Sequence, residues 1–333
     1  MNRNNDFPLV SRRGAIAAIV ALAASPSILA SAPQADAPVD SSLPPYERVK
    51  ELDGRVRIVG SSAVCGMLAR ASEQFRTIYP KVQFDVRGGG TATAVAALVD
   101  GSADIAPMSR AMTAAEVGQF QAAFKYAPTG VGIGFDAIAI FVNRTNPMTS
   151  ASIDELAAIF GNGARGKSTA KTWGDVGLGG EWRDRKIVVF GSRPDSGGSG
   201  LLREAVLADG EFRADMKVQP GSSGIVNGVG ADPAGVGYAS QFYGSKATRT
   251  LALSSAKGAA AVEPSKEAVA NGSYPLSRRL FAYVNRKGGT PLPAPTLEFM
   301  RFVLSRDGQS IIAREGGFAL AAGAASAERA KLG

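Results

Sequence analysis

An α/β fold in two lobes with a cleft between them is what this sequence predicts, and three observations carry the prediction. From Arg55 onward, short apolar runs alternate with helical stretches, the pattern of a βαβ domain with a largely parallel sheet. Two long apolar segments, Gly134–Asn143 and Tyr274–Asn285, have the length to take the chain out of that domain and bring it back. Between them lies IVVFGSRPDSGGSGLLREAV, Ile187–Val206, where a buried strand runs through a Ser/Gly turn into a helix predicted from Leu201. Such a turn aims backbone N–H groups at one spot, with a helix dipole behind them and the Arg193 guanidinium beside them. That is a seat for a small anion.

Composition narrows the chemistry. The chain has 333 residues, no histidine and a single cysteine, Cys65. A Ser-His-Asp triad, a histidine base, a histidine or thiolate metal cluster and an internal disulfide are therefore excluded. The net charge of +8 is spread along the chain without a Lys/Arg tract, which is compatible with an anionic ligand or with nucleic acid and decides between neither.

In chain order, residues 1–37 read as an export signal with its cleavage region. Arg12 and Arg13 precede the uncharged run Gly14–Ala24, and small residues follow at Ala30-Ser31-Ala32 and Ala35-Asp36-Ala37. The paired arginines resemble a twin-arginine signal. Gly14-Ala15 stands where a bulky apolar residue is usual, so the general secretory route stays open. Residues 38–54 form a mature N-terminal tail. The first lobe is expected over 55–139, the second over 140–275, and the first again over 276–333. Within the first lobe RVRIVG, VQFDVRG and DIAPMS are strands. Their following loops, GSSAV (60–64), GGGTA (88–92) and PMSR (107–110), are small and hydroxyl-bearing, and such loops sit at the ligand-binding edge of α/β sheets. Thr113 with Glu116 and Ser152 with Glu155 are capping boxes that open helices.

Some motifs are set aside. Gly161–Ser168 matches the P-loop pattern, but a capped helix rather than a strand precedes it. Ser254-Ser-Ala-Lys257 lacks the companion motifs of acylating enzymes. Trp173 and Trp182 read as packing residues, and Cys65 as a small buried one.

GSSAV, GGGTATAVAALVDGSADIAPMSR, DELAAIF with TWGDVG, RPDSGG, GIVNGVG with GVGYAS, YPLSRRLFAYVN, and EFMRFVLSRDGQ with EGGFAL occur in one order between Val56 and Leu320. That order resembles the periplasmic phosphate-binding proteins of ABC transporters, the PstS family. The resemblance implies a Venus-flytrap fold of the type 2 periplasmic binding proteins. It implies a monomer that captures inorganic phosphate, needs neither cofactor nor metal, and delivers its ligand to an inner-membrane permease. Phosphate would then be held by Ser62, Ala63 and the Val64 N–H, by Thr91 and Ser109, and by Arg193 with Ser196, Gly197 and Gly198. Ala63 and Gly198 stand where the family usually has threonine, with Ser199 as a stand-in for the second. Arg193 lies three residues before Ser196, where some members have four, so the register could instead favour Ser199-Gly200. Ser109 falls where some members carry an Asp that accepts from protonated phosphate. Sulfate, molybdate or arsenate therefore remain alternative ligands, and an exported phosphate-ester hydrolase or a surface scaffold are the rival readings.

Overall fold

The computed structural model describes residues 39–194 and 196–333. The export signal expected over 1–37 lies outside the described residues. Among those described, no helix is long and apolar enough to cross a membrane.

From the N-terminal side the elements are β1 (Gly54–Gly60), α1 (Ser62–Ile78), β2 (Val82–Gly88), α2 (Thr93–Val99), β3 (Ala106–Met108), α3 (Ala114–Phe124) and β4 (Thr129–Ala137). Then follow β5 (Ala139–Asn143), β6 (Ser150–Ser152), α4 (Ile153–Phe160), β7 (Val188–Ser192) and α5 (Gly197–Ala205). Next come β8 (Lys217–Gln219), α6 (Ser222–Ala231), β9 (Gly235–Ala239), β10 (Thr248–Thr250), β11 (Ala252–Ser254) and α7 (Lys266–Ala270). The chain closes with β12 (Ser277–Val284), α8 (Ala294–Val303), α9 (Arg306–Arg314) and α10 (Ala322–Ala330).

Four sheets form among the described residues: β1-β2 and β3-β12-β4 in the first lobe, and a five-stranded sheet with a short parallel β6-β11 pair in the second. In the first lobe β1 pairs parallel with β2, and a parallel bridge from Ile58 to Ile105 joins β1 to the approach of β3. Returning β12 runs antiparallel between β3 and β4. The second lobe has strand order β10-β5-β9-β7-β8, with β5 antiparallel to both of its neighbours. The sheets are thus mixed rather than largely parallel. β4, β5 and β12, which carry the chain between the lobes, run antiparallel to their partners, and alternation of runs along the sequence does not encode that direction.

The connection from β4 to β5 is a single residue. Gly134–Asn143, read from sequence as one strand, is the end of β4 and all of β5, separated at Ile138. There the Ile138 N–H donates to the Leu276 carbonyl at 3.1 Å, and the Tyr274 hydroxyl donates to the Ile138 carbonyl at 3.1 Å. The two connecting segments are therefore tied together at the seam.

Each lobe has its own core. In the first, Phe75 of α1 packs against Tyr79, Phe84, Phe299 and Phe302 with ring centroids 4.9–6.0 Å apart. Burying one such ring contributes roughly 1.5–3 kcal/mol. Tyr46 joins this cluster, Leu43 is fully buried, and Arg306 donates its N–H to the Pro44 carbonyl, so the predicted tail is docked on the first lobe. In the second lobe Trp173 and Trp182 meet edge to face at 6.3 Å, and the Trp173 indole donates to the Ala234 carbonyl at 3.2 Å, a packing role as expected. Both capping boxes form, with Glu116 and Glu155 reaching back to the N–H of Thr113 and Ser152.

Candidate functional site

Helix α1 starts one residue after β1, at a turn where Gly60 is pressed against the Pro107 carbonyl and a Cβ would sit only 2.2 Å from the oxygen. Ser61 is the N-cap residue; its N–H donates to the Pro107 carbonyl at 2.8 Å, and its side chain does not cap the helix. The first intrahelical bond is that of the Cys65 N–H to the Ser61 carbonyl, so the N–H groups of Ser62, Ala63 and Val64 point out along the axis. The Val64 side chain is fully buried, which leaves only its N–H for the cleft. Ser61 was not among the residues expected here. Reading GSSAV does not reveal which serine is the cap.

Thr91, in the turn before α2, and Ser109, just after β3, are brought together, their hydroxyls 3.0 Å apart. The Ser109 N–H reaches the Thr91 hydroxyl at 3.4 Å, and Ser109 is almost completely buried. This pair lines a chamber of about 590 Å³ together with Ser62, Ala63, Ser196 and Gly197.

Across the cleft, α5 begins at Gly197, four residues earlier than the sequence suggests. Ser196 caps it, accepting the Ser199 N–H at 3.2 Å, and a cap bond of this kind offsets the poor helix propensity of Gly197, Gly198 and Gly200. The N–H groups of Gly197 and Gly198 are left at the helix mouth. Ser199 lies behind the turn, fully buried. Its hydroxyl donates to the Arg193 carbonyl at 2.8 Å and lies 2.7 Å from the Tyr238 hydroxyl and 3.0 Å from that of Ser192. Ser199 therefore braces the turn from inside.

The two helix mouths touch. A Cβ on Gly197 would lie 2.8 Å from the Ala63 Cβ, so any larger residue at 197 would force the lobes apart. This contact separates the Thr91–Ser109 chamber from a second one of about 460 Å³, lined by Arg193, Ser192, Gly198, Tyr238 and the start of α6. Ala63, Ser196 and Gly197 face both chambers, whereas exposed Arg193 lines only the second.

A further cation stands in the Thr91–Ser109 chamber that sequence reasoning missed. Arg278, the second residue of β12, is paired with Asp136 of β4 at 2.9 Å. The signal available was a doubled arginine inside the apolar run YPLSRRLFAYVN. Cys65, close by on α1, is buried, and burial pushes its thiol up to about 11, which makes it a poor nucleophile at neutral pH. The P-loop look-alike has no phosphate-loop geometry, since α4 leads only into a 3-10 turn at Ala164–Gly166.

With this geometry in hand, the relatives are informative. The family model described as a PBP superfamily domain matches residues 32–307. A curated relative, the phosphate-binding protein PstS of Pseudomonas aeruginosa, is 35% identical over 305 residues, covering 91% of this chain and 94% of that one. Among solved structures, a possible phosphate binding protein from Planctomyces limnophilus superposes with a TM-score of 0.75 at 23% identity, covering 85% of this chain and 98% of that one. An ABC-type phosphate transport receptor from Vibrio cholerae gives 0.62 at 22% identity, with 80% and 100% covered. The structural likenesses speak for the two-lobe fold and the sequence likeness for the family: this chain belongs to the PBP superfamily and, within it, to the PstS family.

Proposed function

We propose that this protein is the substrate-binding component of an ABC transporter and that it captures inorganic phosphate between its lobes. The observation that carries the reading is the meeting of two helix N-termini, α1 and α5, from opposite lobes at Ala63 and Gly197. Each mouth bears about half a positive charge, so bringing two together is unfavourable until an anion sits between them. An anion thereby favours the closed arrangement over the open one. The names carried by the relatives, phosphate-binding protein and phosphate transport receptor, support the same ligand and a binding rather than catalytic role.

In this reading the donors are the N–H groups of Ser62, Ala63 and Val64, the hydroxyls of Ser62, Thr91 and Ser109, and the N–H groups of Gly197 and Gly198. Ser196 orders the turn as its cap, Ser199 braces it from behind, and Arg193 closes the rim. Charge-assisted bonds contribute roughly 1.5–3 kcal/mol each, and micromolar affinity corresponds to about 8 kcal/mol. A handful of these donors suffices. The lobe limits 55–139, 140–275 and 276–333 fit the crossings at Ile138 and Leu276. A monomeric, exported protein whose signal uses the paired arginines at 12 and 13, handing phosphate to a membrane permease, completes the proposal.

Ser109 favours a second reading, a broader oxyanion receptor. A carboxylate there would accept from protonated phosphate and repel a fully ionised sulfate, whereas a hydroxyl can donate to either. Isothermal titration of the mature protein, freed of bound anion by partial unfolding, with phosphate and then sulfate separates the two. Micromolar phosphate binding without sulfate heat is the expected result. Equal heats from both anions establish the broader receptor, and silence from both overturns the anion-binding reading.

A further inference from the structure

We propose that Arg278 is a positioning residue that ties closure of the lobes to the orientation of the α5 anion turn; the proposal rests on the cleft reading above. Arg278 and Asp136 face each other across β12 and β4, each two residues from a crossing, Leu276 and Ile138 respectively. Their side chains are 12% and 13% exposed, and the guanidinium holds Asp136 through Nε at 3.1 Å and Nη2 at 2.9 Å. Burying such a pair is costly in desolvation and by itself contributes little to stability. What sets this pair apart is its reach. Nη2 also donates to the Gly197 carbonyl at 3.3 Å, and Nη1 to the Glu204 carboxylate at 3.4 Å, both on α5 of the other lobe.

The Gly197 contact acts on the site directly. The carbonyl of Gly197 and the N–H of Gly198 belong to one planar peptide unit, so fixing the oxygen fixes the direction of the N–H. Gly197 and Gly198 have no side chains of their own to hold that plane. Arg278 anchors it from the first lobe, and it does so only while the lobes are together, because rotation about Ile138 and Leu276 carries α5 away from β12. The fork geometry matters: a planar guanidinium can grip Asp136 on one edge and reach Gly197 and Glu204 on another, which a lysine ammonium cannot. Part of the closed-state preference therefore comes from protein contacts alone, and the anion meets a turn already oriented. Apparent affinity scales with the population of that competent state.

The experiment compares the wild type with Arg278→Gln, Arg278→Lys and the double variant Asp136→Asn/Arg278→Gln. The double variant leaves no unpaired buried charge should the single one fold poorly. Small-angle scattering of anion-free protein reads closure, and isothermal titration reads phosphate affinity. Expected are a larger radius of gyration for all three variants without phosphate and a return toward the wild-type value when saturated. Their dissociation constants should be raised roughly 5- to 50-fold. Lysine, which keeps the charge, should rescue little of this. Unchanged scattering with unchanged affinity overturns the proposal, as does full rescue by lysine, which would assign Arg278 a purely electrostatic part. If the wild type itself gives no phosphate heat, the functional reading fails, while the scattering comparison still decides whether Arg278 tethers the lobes.

Discussion

In the proposed receptor, position 109 is where one side chain would set the ligand preference. Ser109 is nearly buried and shares a hydrogen bond with Thr91, so a substituent placed there is presented to the chamber with little freedom to turn away. Replacing Ser109 with Asp puts an acceptor-only group beside the anion. A protonated phosphate can donate to it, and sulfate at neutral pH cannot, leaving two negative charges in contact. Competition titration should show sulfate or another fully ionised oxyanion weakened by about tenfold or more in Ser109→Asp, with phosphate retained. Uniform loss of both anions would mean that the side chain does not face the ligand. At this scale the sequence was a good guide to which loops lie together and a poor one to their chambers. Thr91 and Ser109 are adjacent as the loop pattern suggested, but Arg193 lines one side of the Ala63–Gly197 contact and Arg278 the other. Loop motifs are local; the partition of a cleft is set by how two lobes meet.

Elements were legible where their start is written in local chemistry. The boxes at Thr113 and Ser152 reside within four residues of chain, and α3 and α4 open where those residues place them. The start of α5 was not legible in the same way, because three glycines argue against a helix until the Ser196 cap and the Ser199 brace are seen. Nor could an unbroken apolar run disclose that β4 ends and β5 begins at Ile138, since both strands are buried and only pairing distinguishes them. The α3 box carries a prediction about acid. Arg110 donates to both carboxylate oxygens of Glu116, at 2.7 and 2.9 Å, and with the Thr113 N–H and hydroxyl it lowers the Glu116 carboxyl from 4.5 to about 2. A group depressed on folding contributes stability that is complete above its unfolded value and disappears as the pH falls through its folded one. Melting temperature should therefore drop between about pH 5 and pH 2. Glu116→Gln should lower it at neutral pH and flatten that part of the profile. Parallel profiles for wild type and variant would show that the Arg110–Glu116 pair is thermodynamically silent.

For the molecule as a whole, the question is whether the ligand couples the lobes or merely rests on one of them. Each lobe has its own sheets and its own aromatic cluster, around Phe75 in one and the Trp173–Trp182 pair in the other, so in principle each can melt separately. The α1 and α5 mouths come from different lobes, and an anion bound by both can be kept only while both are folded. Linkage then stabilises the pair together by RT ln(1 + [L]/Kd), about 2.7 kcal/mol at a hundredfold excess over Kd. For a chain of this size that corresponds to a rise on the order of 5 °C. Calorimetry should show one sharpened transition moving upward with phosphate, even if the anion-free protein melts in two steps. The Arg278 variants should need more phosphate to reach the same shift, because part of the binding energy then goes into closing the lobes. A thermogram in which phosphate raises only the first of two transitions would place the anion on a single lobe, and the meeting of α1 with α5 would then be packing without a ligand between them.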